Sequence, residues 1–319
     1  MKKDNLLDMI LQATEGFYKI SIFVHINPDH DALGAAFFLA RFIKLNTHLS
    51  QVKIVGMDEL NDSDYKNFFH FNDEKVTEEF VTDSLALIVD TANEERVHTG
   101  LHTYAKKSIL VDHHVPCEQY TTERFIDESS IATCEMLGIA LMNSSFNFDV
   151  KCLEYLFVGT TTDSNRFFYD KVTEKTHGFA GWCITQGLDH TKLYLKLYQR
   201  NISEVKIDAY LINQIHVEDG VGYIVVDEET KKKYPDVSNW SDKVYLMNNI
   251  NEIKVWFVTY FDDTKGMYKA SLRSSKYNVR NVAKYFNGGG HDLASGCTLK
   301  SLDEVAVLIN LLKQQIREE

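Results

Sequence analysis

The chain has 319 residues, 44% of them hydrophobic and 25% charged, an ordinary globular composition with room for two domains. A formal net charge of −12 argues against an extended groove for long nucleic acid that works by counterion release, while a small phosphorylated ligand held through divalent cations stays compatible. No apolar run reaches the roughly 18 residues of a membrane span, and residues 1–5 lack a signal-peptide core, so a cytoplasmic protein with no membrane partner is expected. The five cysteines (Cys117, Cys134, Cys152, Cys183, Cys297) contain no C-x-x-C pair, which speaks against a disulfide framework or a zinc knuckle.

Residues 4–15 carry apolar positions at helical spacing and predict an N-terminal cover helix. Residues 20–26 (Ile20, Ile22, Phe23, Val24, Ile26) read as a buried strand that ends in His25, Asp29 and Asp31 around Pro28. A helix follows from Gly34 through Leu45, and residues 52–57 predict a second strand. Residues 58–80 show no sharp pattern and are expected to form a solvated helix and loop.

Residues 85–89 form the next apolar run, closed by Asp90, Thr91, Ala92 and Asn93. For an isolated Asp90 the plain reading is a cap on the following helix. The pattern then repeats: residues 108–111 lead into Asp112, His113 and His114, where capping does not explain two adjacent histidines. Residues 153–158 predict a helix running into a loop at 160–165 that holds Asp163.

Helices are also predicted over 131–144 and over 173–187, the latter capped by Thr173 with Thr176 beside it. Residues 191–215 predict a helical linker between a catalytic domain at 1–190 and a smaller domain at 216–319. In the second domain strands are expected at 221–226, 253–261 and 267–273, and a terminal helix at 302–316. Before that helix stand Asn287, Gly288, Gly289, Gly290 and His291, a run in which the backbone turns sharply or approaches something closely.

Strands alternating with helices imply an α/β fold: a parallel sheet with flanking helices, then a smaller α/β domain with a mixed sheet. A parallel sheet brings all its carboxyl-end loops to one rim, where open α/β sheets bind ligands. His25, Asp29, Asp31, Asp90, His113 and Asp163 would meet there. Two imidazoles and four carboxylates suit two divalent cations of the manganese kind, whereas zinc usually brings cysteine or fewer carboxylates. Such a pair clamps a phosphoryl group for in-line displacement, which makes phosphoester hydrolysis the favoured chemistry.

The order H-I-N-P-D-H-D, D-T-A-N, D-H-H, T-D-S-N-R-F resembles the DHH phosphoesterase superfamily across nearly the whole chain. Residues 270–274 followed by G-G-G-H-x-x-A-x-G resemble its DHHA1 domain, and the overall layout is most similar to the branch of nano-RNases and pAp phosphatases. The resemblance implies a metal-dependent exoribonuclease-type hydrolase acting on short oligoribonucleotides and on 3′-phosphoadenosine 5′-phosphate. It implies that His25, Asp29 and Asp90 hold one Mn²⁺ and that Asp31, Asp90, His113 and Asp163 hold the other, with Asp90 shared. His114 would face the scissile phosphate and Asp112 would orient a histidine ring. Arg273, Ser274, Gly288, Gly289, Gly290 and His291 would contact the substrate. A homodimer is left open as the assembly.

The chain departs from the family pattern at Ser164 and Asn165 in the Asp163 loop and at Asn287, Asp292 and Ser295 in the glycine-rich stretch. Asn tolerates the left-handed backbone that glycine would supply, so both loops are expected to keep their shape. Arg96 is within reach of a phosphate in principle, a solvated helix face being the plainer reading. Three rival readings are a phosphodiesterase for cyclic di-AMP or pApA, an inorganic pyrophosphatase of the same superfamily, and a non-catalytic nucleotide sensor. The complete ligand set speaks against the sensor.

Overall fold

Strand β1 (Lys19–Phe23) forms because its apolar side chains are buried on both faces of a sheet, Ile20 and Ile22 against one helical layer and Phe23 against the other. The same two-sided alternation builds β3 (Leu85–Val89) and β4 (Lys107–Asp112). Leu85, Leu87, Val89, Ile109 and Val111 join the first layer, and Ala86, Ile88 and Leu110 the second. With β2 (Gln51–Ile54) and β5 (Glu123–Ile126) they form a five-stranded sheet in the order β2-β1-β3-β4-β5, parallel at every pairing. The order reverses between β1 and β3, and that switch point opens a crevice at the carboxyl ends of the strands.

The computed structural model describes residues 6–57, 68–69, 75–116, 118–237 and 239–318. The chain divides into two compact units, Met1–Gln199 and Arg200–Glu319. In the first, helices α1 (Leu6–Ala13), α2 (His30–Asn46), α4 (Thr133–Met142), α5 (Val150–Asp163), α6 (Glu174–Thr185) and α7 (His190–Tyr198) accompany the sheet, with a short α3 (Glu78–Thr82). Thr173 caps α6 in a reciprocal box with Thr176.

Several expectations are corrected. The first strand stops at Phe23, and His25 lies beyond it in an isolated bridge to Val97. Helix α5 runs through Asp163 instead of yielding to a loop at residue 160, because the Thr160 and Thr162 hydroxyls bond back to the Leu156 and Val158 carbonyls and fit the helix. The region expected to be solvated lies largely outside the described residues, yet Phe68 and Phe69 are buried, Phe69 stacking on Tyr155 with ring centroids 5.6 Å apart.

The second unit is a six-stranded mixed sheet in the order β10-β11-β9-β8-β7-β6, in which only β7 and β8 pair in parallel. Its strands are β6 (His216–Glu218), β7 (Val221–Val226), β8 (Val255–Asp262), β9 (Met267–Ser274), β10 (Gly289–His291) and β11 (Ala294–Leu299). Phe257 and Leu272 pack on one face with α10 (Val279–Tyr285) and α11 (Asp303–Glu318). Trp256 and Val258 pack on the other with α8 (Ile202–Ile212) and a 3₁₀ segment, Trp240–Met247. A short α9 (Glu228–Lys233) follows β7. Cys134, Cys152, Cys183 and Cys297 are free and buried. Among the described residues no helix is long and apolar enough to cross a membrane.

Candidate metal centre

The carboxyl ends of β1 and β3 deliver the first group of side chains. Asp29 caps α2, its Oδ1 accepting from the amides of Asp31 and Ala32 at 3.0 Å each, and the same turn brings its other oxygen to 3.8 Å from His25 Nε2. Asp90 leaves β3 with φ of 55°, a left-handed conformation that aspartate tolerates better than most residues, and its amide donates to the Val111 carbonyl at 3.0 Å. That geometry turns Oδ2 to 3.7 Å from His25 Nε2, while Oδ1 lies 3.5 Å from His113 Nε2. Asp90 therefore touches both histidines.

The end of β4 and the end of α5 supply the rest. His113 Nδ1 pairs with the Ser130 carbonyl at 3.2 Å, which fixes Nε2 as the lone-pair nitrogen; Nε2 sits 3.5 Å from Asp163 Oδ2. Asp31, fully buried in the first turn of α2, accepts from the amides of Thr133 at 2.7 Å and Cys134 at 2.9 Å. Those amides are the exposed N-terminal donors of α4, whose cap residue Ala132 has no side chain to satisfy them. His114 turns Nδ1 to Asp112 Oδ1 at 2.8 Å, and that oxygen also accepts from the amides of His113 and His114.

Three triads result: His25 with Asp29 and Asp90, Asp31 with His113 and Asp163, and Asp90 with His113 and His114. Within each, one donor atom per residue lies within 4.8 Å of the others. All six residues expected from the sequence to bind metal are thus gathered at one rim.

Both His25 and His113 pair Nδ1 with a main-chain carbonyl and aim Nε2 at carboxylates, the arrangement usual for metal-ligating histidines. His113 Nε2 is buried with no hydrogen-bond partner among the described residues, an orphan that a cation would satisfy. The donor set fits two hard divalent ions.

In the second unit, His291 pairs with Ala294 across β10 and β11, and Ala294 pairs with Arg273 across β11 and β9, so His291 and Arg273 share one face of the sheet. Asn287 takes φ of 55° and Gly290 φ of 134°. A Cβ at Gly290 would stand 2.6 Å from the Ala294 carbonyl oxygen, so the close turn needs glycine there. Gly288 is hemmed in as closely by the Gly296 carbonyl oxygen and by Cys297, whereas Gly289 faces open space. The Ser274 hydroxyl is buried and accepts from the amides of Lys276 and Tyr277.

Residues 19–160 match the model of the DHH family N-terminal domain, and residues 220–318 that of the DHHA1 domain. A Mycoplasma genitalium protein named uncharacterized protein MG371 is 32% identical over 298 residues, covering 93% of this chain and 91% of that protein. The chain belongs to the DHH/DHHA1 family. The bifunctional oligoribonuclease and PAP phosphatase NrnA of Mycoplasma pneumoniae is 30% identical over 311 residues, covering 96% of this chain and 95% of its own. Its Bacillus subtilis namesake is 26% identical over 299 residues, with 92% and 93% covered. A crystal structure of an exopolyphosphatase-related protein from Bacteroides fragilis superposes with a TM-score of 0.86 at 20% identity, covering 97% and 95%, and shares the fold. DHH family enzymes are metal-dependent, in keeping with the acidic and histidine clusters of the DHH unit.

Without cations the DHH centre is electrostatically crowded. Burial, then the charges of Asp31 and Asp29, push the Asp163 carboxyl up to about 9, and burial with the same neighbours holds Asp90 well above the ordinary carboxylate range. Burial lowers His113, which favours its neutral, ligating form. Burial opposes a charge on His114 too, but the bond to Asp112 together with the charges of Asp112 and Asp31 outweighs it and raises that ring. Asp29 is raised by burial but held low on balance by His25 and by the helix amides.

One residue was not singled out in the sequence. The Thr133 hydroxyl donates to Asp90 Oδ1 at 3.2 Å while its amide holds Asp31, so a single buried residue aligns two carboxylates from different elements. Nothing local marks it, because its partners lie 43 and 102 positions away. Thr133→Val is expected to weaken Mn²⁺ binding by about tenfold, the worth of one charge-assisted hydrogen bond, with Thr133→Ser near wild type by isothermal calorimetry.

A second expectation concerns pH. In the metal-free fold Asp163 keeps its proton up to about pH 9, while in the unfolded chain it ionises near the ordinary aspartate value of 3.8. Between those limits the native state binds more protons, so metal-free stability falls as pH rises, and a cation that replaces the proton restores it. Mn²⁺ should therefore raise the melting temperature more at pH 8 than at pH 5.5, and equal shifts in thermal scans would contradict the crowding.

Proposed function

We propose that this chain is a metal-dependent phosphodiesterase and phosphatase that hydrolyses short oligoribonucleotides and removes the 3′-phosphate of 3′-phosphoadenosine 5′-phosphate. The observation that carries it is Asp90, whose two oxygens lie 3.7 Å from His25 Nε2 and 3.5 Å from His113 Nε2 and so connect the His25–Asp29 pair to the Asp31–His113–Asp163 group. The reading draws further support from the NrnA proteins, which match along more than nine-tenths of this chain.

His25, Asp29 and Asp90 would hold one cation, and Asp31, Asp90, His113 and Asp163 the other. Carboxylate-rich donors with two imidazoles favour manganese. Two such ions, when bound, supply a water-derived nucleophile at neutral pH and neutralise charge on the phosphoryl oxygens.

The protein's own groups do the rest. Asp112 accepts from Nδ1 of His114 and holds the ring, so Nε2 is the nitrogen free to donate. Raised by that bond, His114 keeps a proton to give to the leaving oxygen, a step worth about 10² to 10⁴-fold. Arg273 presents a planar guanidinium suited to two phosphate oxygens, and His291 stands on the same sheet face. Gly288 and Gly290 permit the close turn that carries His291.

The test is purified protein with Mn²⁺, assayed in parallel on a labelled dinucleotide, 3′-phosphoadenosine 5′-phosphate, cyclic di-AMP and pyrophosphate. Turnover of the first two is expected, and exclusive turnover of either of the others would replace this reading. Asp90→Ala should abolish both Mn²⁺ binding and hydrolysis, whereas His114→Ala should retain Mn²⁺ and lose about 10² to 10⁴-fold in kcat. Loss of metal from the His114 variant would make it a ligand instead. Arg273→Ala should raise KM for the dinucleotide by tenfold or more, and an unchanged KM would remove Arg273 from the substrate contacts.

A further inference from the structure

The DHH unit carries a guanidinium at the edge of the metal centre that no carboxylate claims. Arg96 closes a one-turn 3₁₀ segment, Glu94–Arg96, after β3. Its carbonyl accepts from the Ile26 amide at 2.7 Å, and the next residue, Val97, bridges to His25. The backbone of Arg96 is therefore tied to the turn that presents the His25 ligand, while its side chain is exposed.

The neighbouring acids are engaged elsewhere. Glu94 Oε1 lies 3.1 Å from His102 Nε2, and Glu95 Oε1 accepts from Asn93 at 2.9 Å. Among the described residues Arg96 makes no ion pair and no side-chain hydrogen bond. Two other arginines of this unit differ: Arg41 forks onto Asp149, and Arg166 lies over the Tyr198 ring, 5.1 Å from its centroid. A cation left unpaired amid acidic residues, on a backbone fastened to a ligand turn, is placed to meet an anion arriving at the centre.

We propose that Arg96 binds the non-bridging oxygens of the phosphoryl group at the metal centre, giving the DHH unit a guanidinium contact to the substrate beside His114. This deepens the phosphoesterase reading and rests on it for the identity of the substrate. The planar fork grips two oxygens of one phosphate, which a lysine ammonium cannot do in the same way. It also offsets part of the repulsion that a chain of net charge −12 presents to a nucleotide.

The test uses the full chain loaded with Mn²⁺ and inorganic phosphate as the probe, titrated by isothermal calorimetry. Arg96→Ala should weaken phosphate binding by roughly tenfold or more, with Arg96→Lys between the two and with Mn²⁺ affinity as in wild type. KM for 3′-phosphoadenosine 5′-phosphate should rise in the same order. Phosphate affinity equal to wild type in the alanine variant would overturn the proposal. So would a parallel loss of Mn²⁺ affinity, since Arg96 would then act only through the His25 turn. A wild-type protein that leaves both nucleotides intact, yet binds phosphate in an Arg96-dependent way, would sink the substrate assignment and uphold the Arg96 contact.

Discussion

Asp31, Asp90 and Asp163 meet around His113, and burial together with repulsion from neighbouring carboxylates, Asp29 among them, lifts each of the three above the ordinary carboxylate range. Carboxylates in such a setting need protons or cations to offset them. The fold does not avoid the crowding but fixes it in place. The amides at the start of α4 grip Asp31, the left-handed turn at Asp90 is secured to β4, and α5 ends on Asp163. The cation binding and phosphoester chemistry proposed for the centre would rest on keeping those groups close together.

The sheet order explains why one rim carries the whole set. With every strand of the DHH unit parallel, the carboxyl ends of β1, β3 and β4 open on the same side, and the reversal between β1 and β3 leaves room for a ligand there. Histidine tautomers are set by the main chain: the Ile26 and Ser130 carbonyls take Nδ1 of His25 and His113. The ligand atoms thus point inward whether or not a cation has arrived. His114 differs, because its Nδ1 pairs with the Asp112 carboxylate instead of a main-chain carbonyl.

Much of this could be read from the residues. Strands β1, β3 and β4 are apolar on both faces and lead into ionisable residues, so their existence and direction were visible together. Strand β5 was not, since four edge residues beginning Glu123 and Arg124 carry no such signature, and neither was β10, whose three residues include two glycines. Asp163 was placed in a loop because three threonines precede it, and only their hydroxyl bonds to the preceding turn show why the helix continues. Thr133 was invisible because its role depends on how α4 docks against α2. The left-handed backbone at Asn165 and Asn287 was foreseeable from the side chain alone.

Cys134 deserves a last word for what surrounds it. Its Sγ lies 3.4 Å from the Asp31 carbonyl oxygen, and its neighbours across the interface are glycines: an added Cβ at Gly34 would stand 2.8 Å from that sulfur, and one at Gly159 would stand 2.8 Å from Asp31 Oδ1. The sulfur works as a shim between α2 and α5. Its bulk and the two glycines fit one another, so a larger side chain at any of the three positions would press on the helices that carry Asp31 and Asp163, which couples the packing of this small patch of interior to the geometry of the rim.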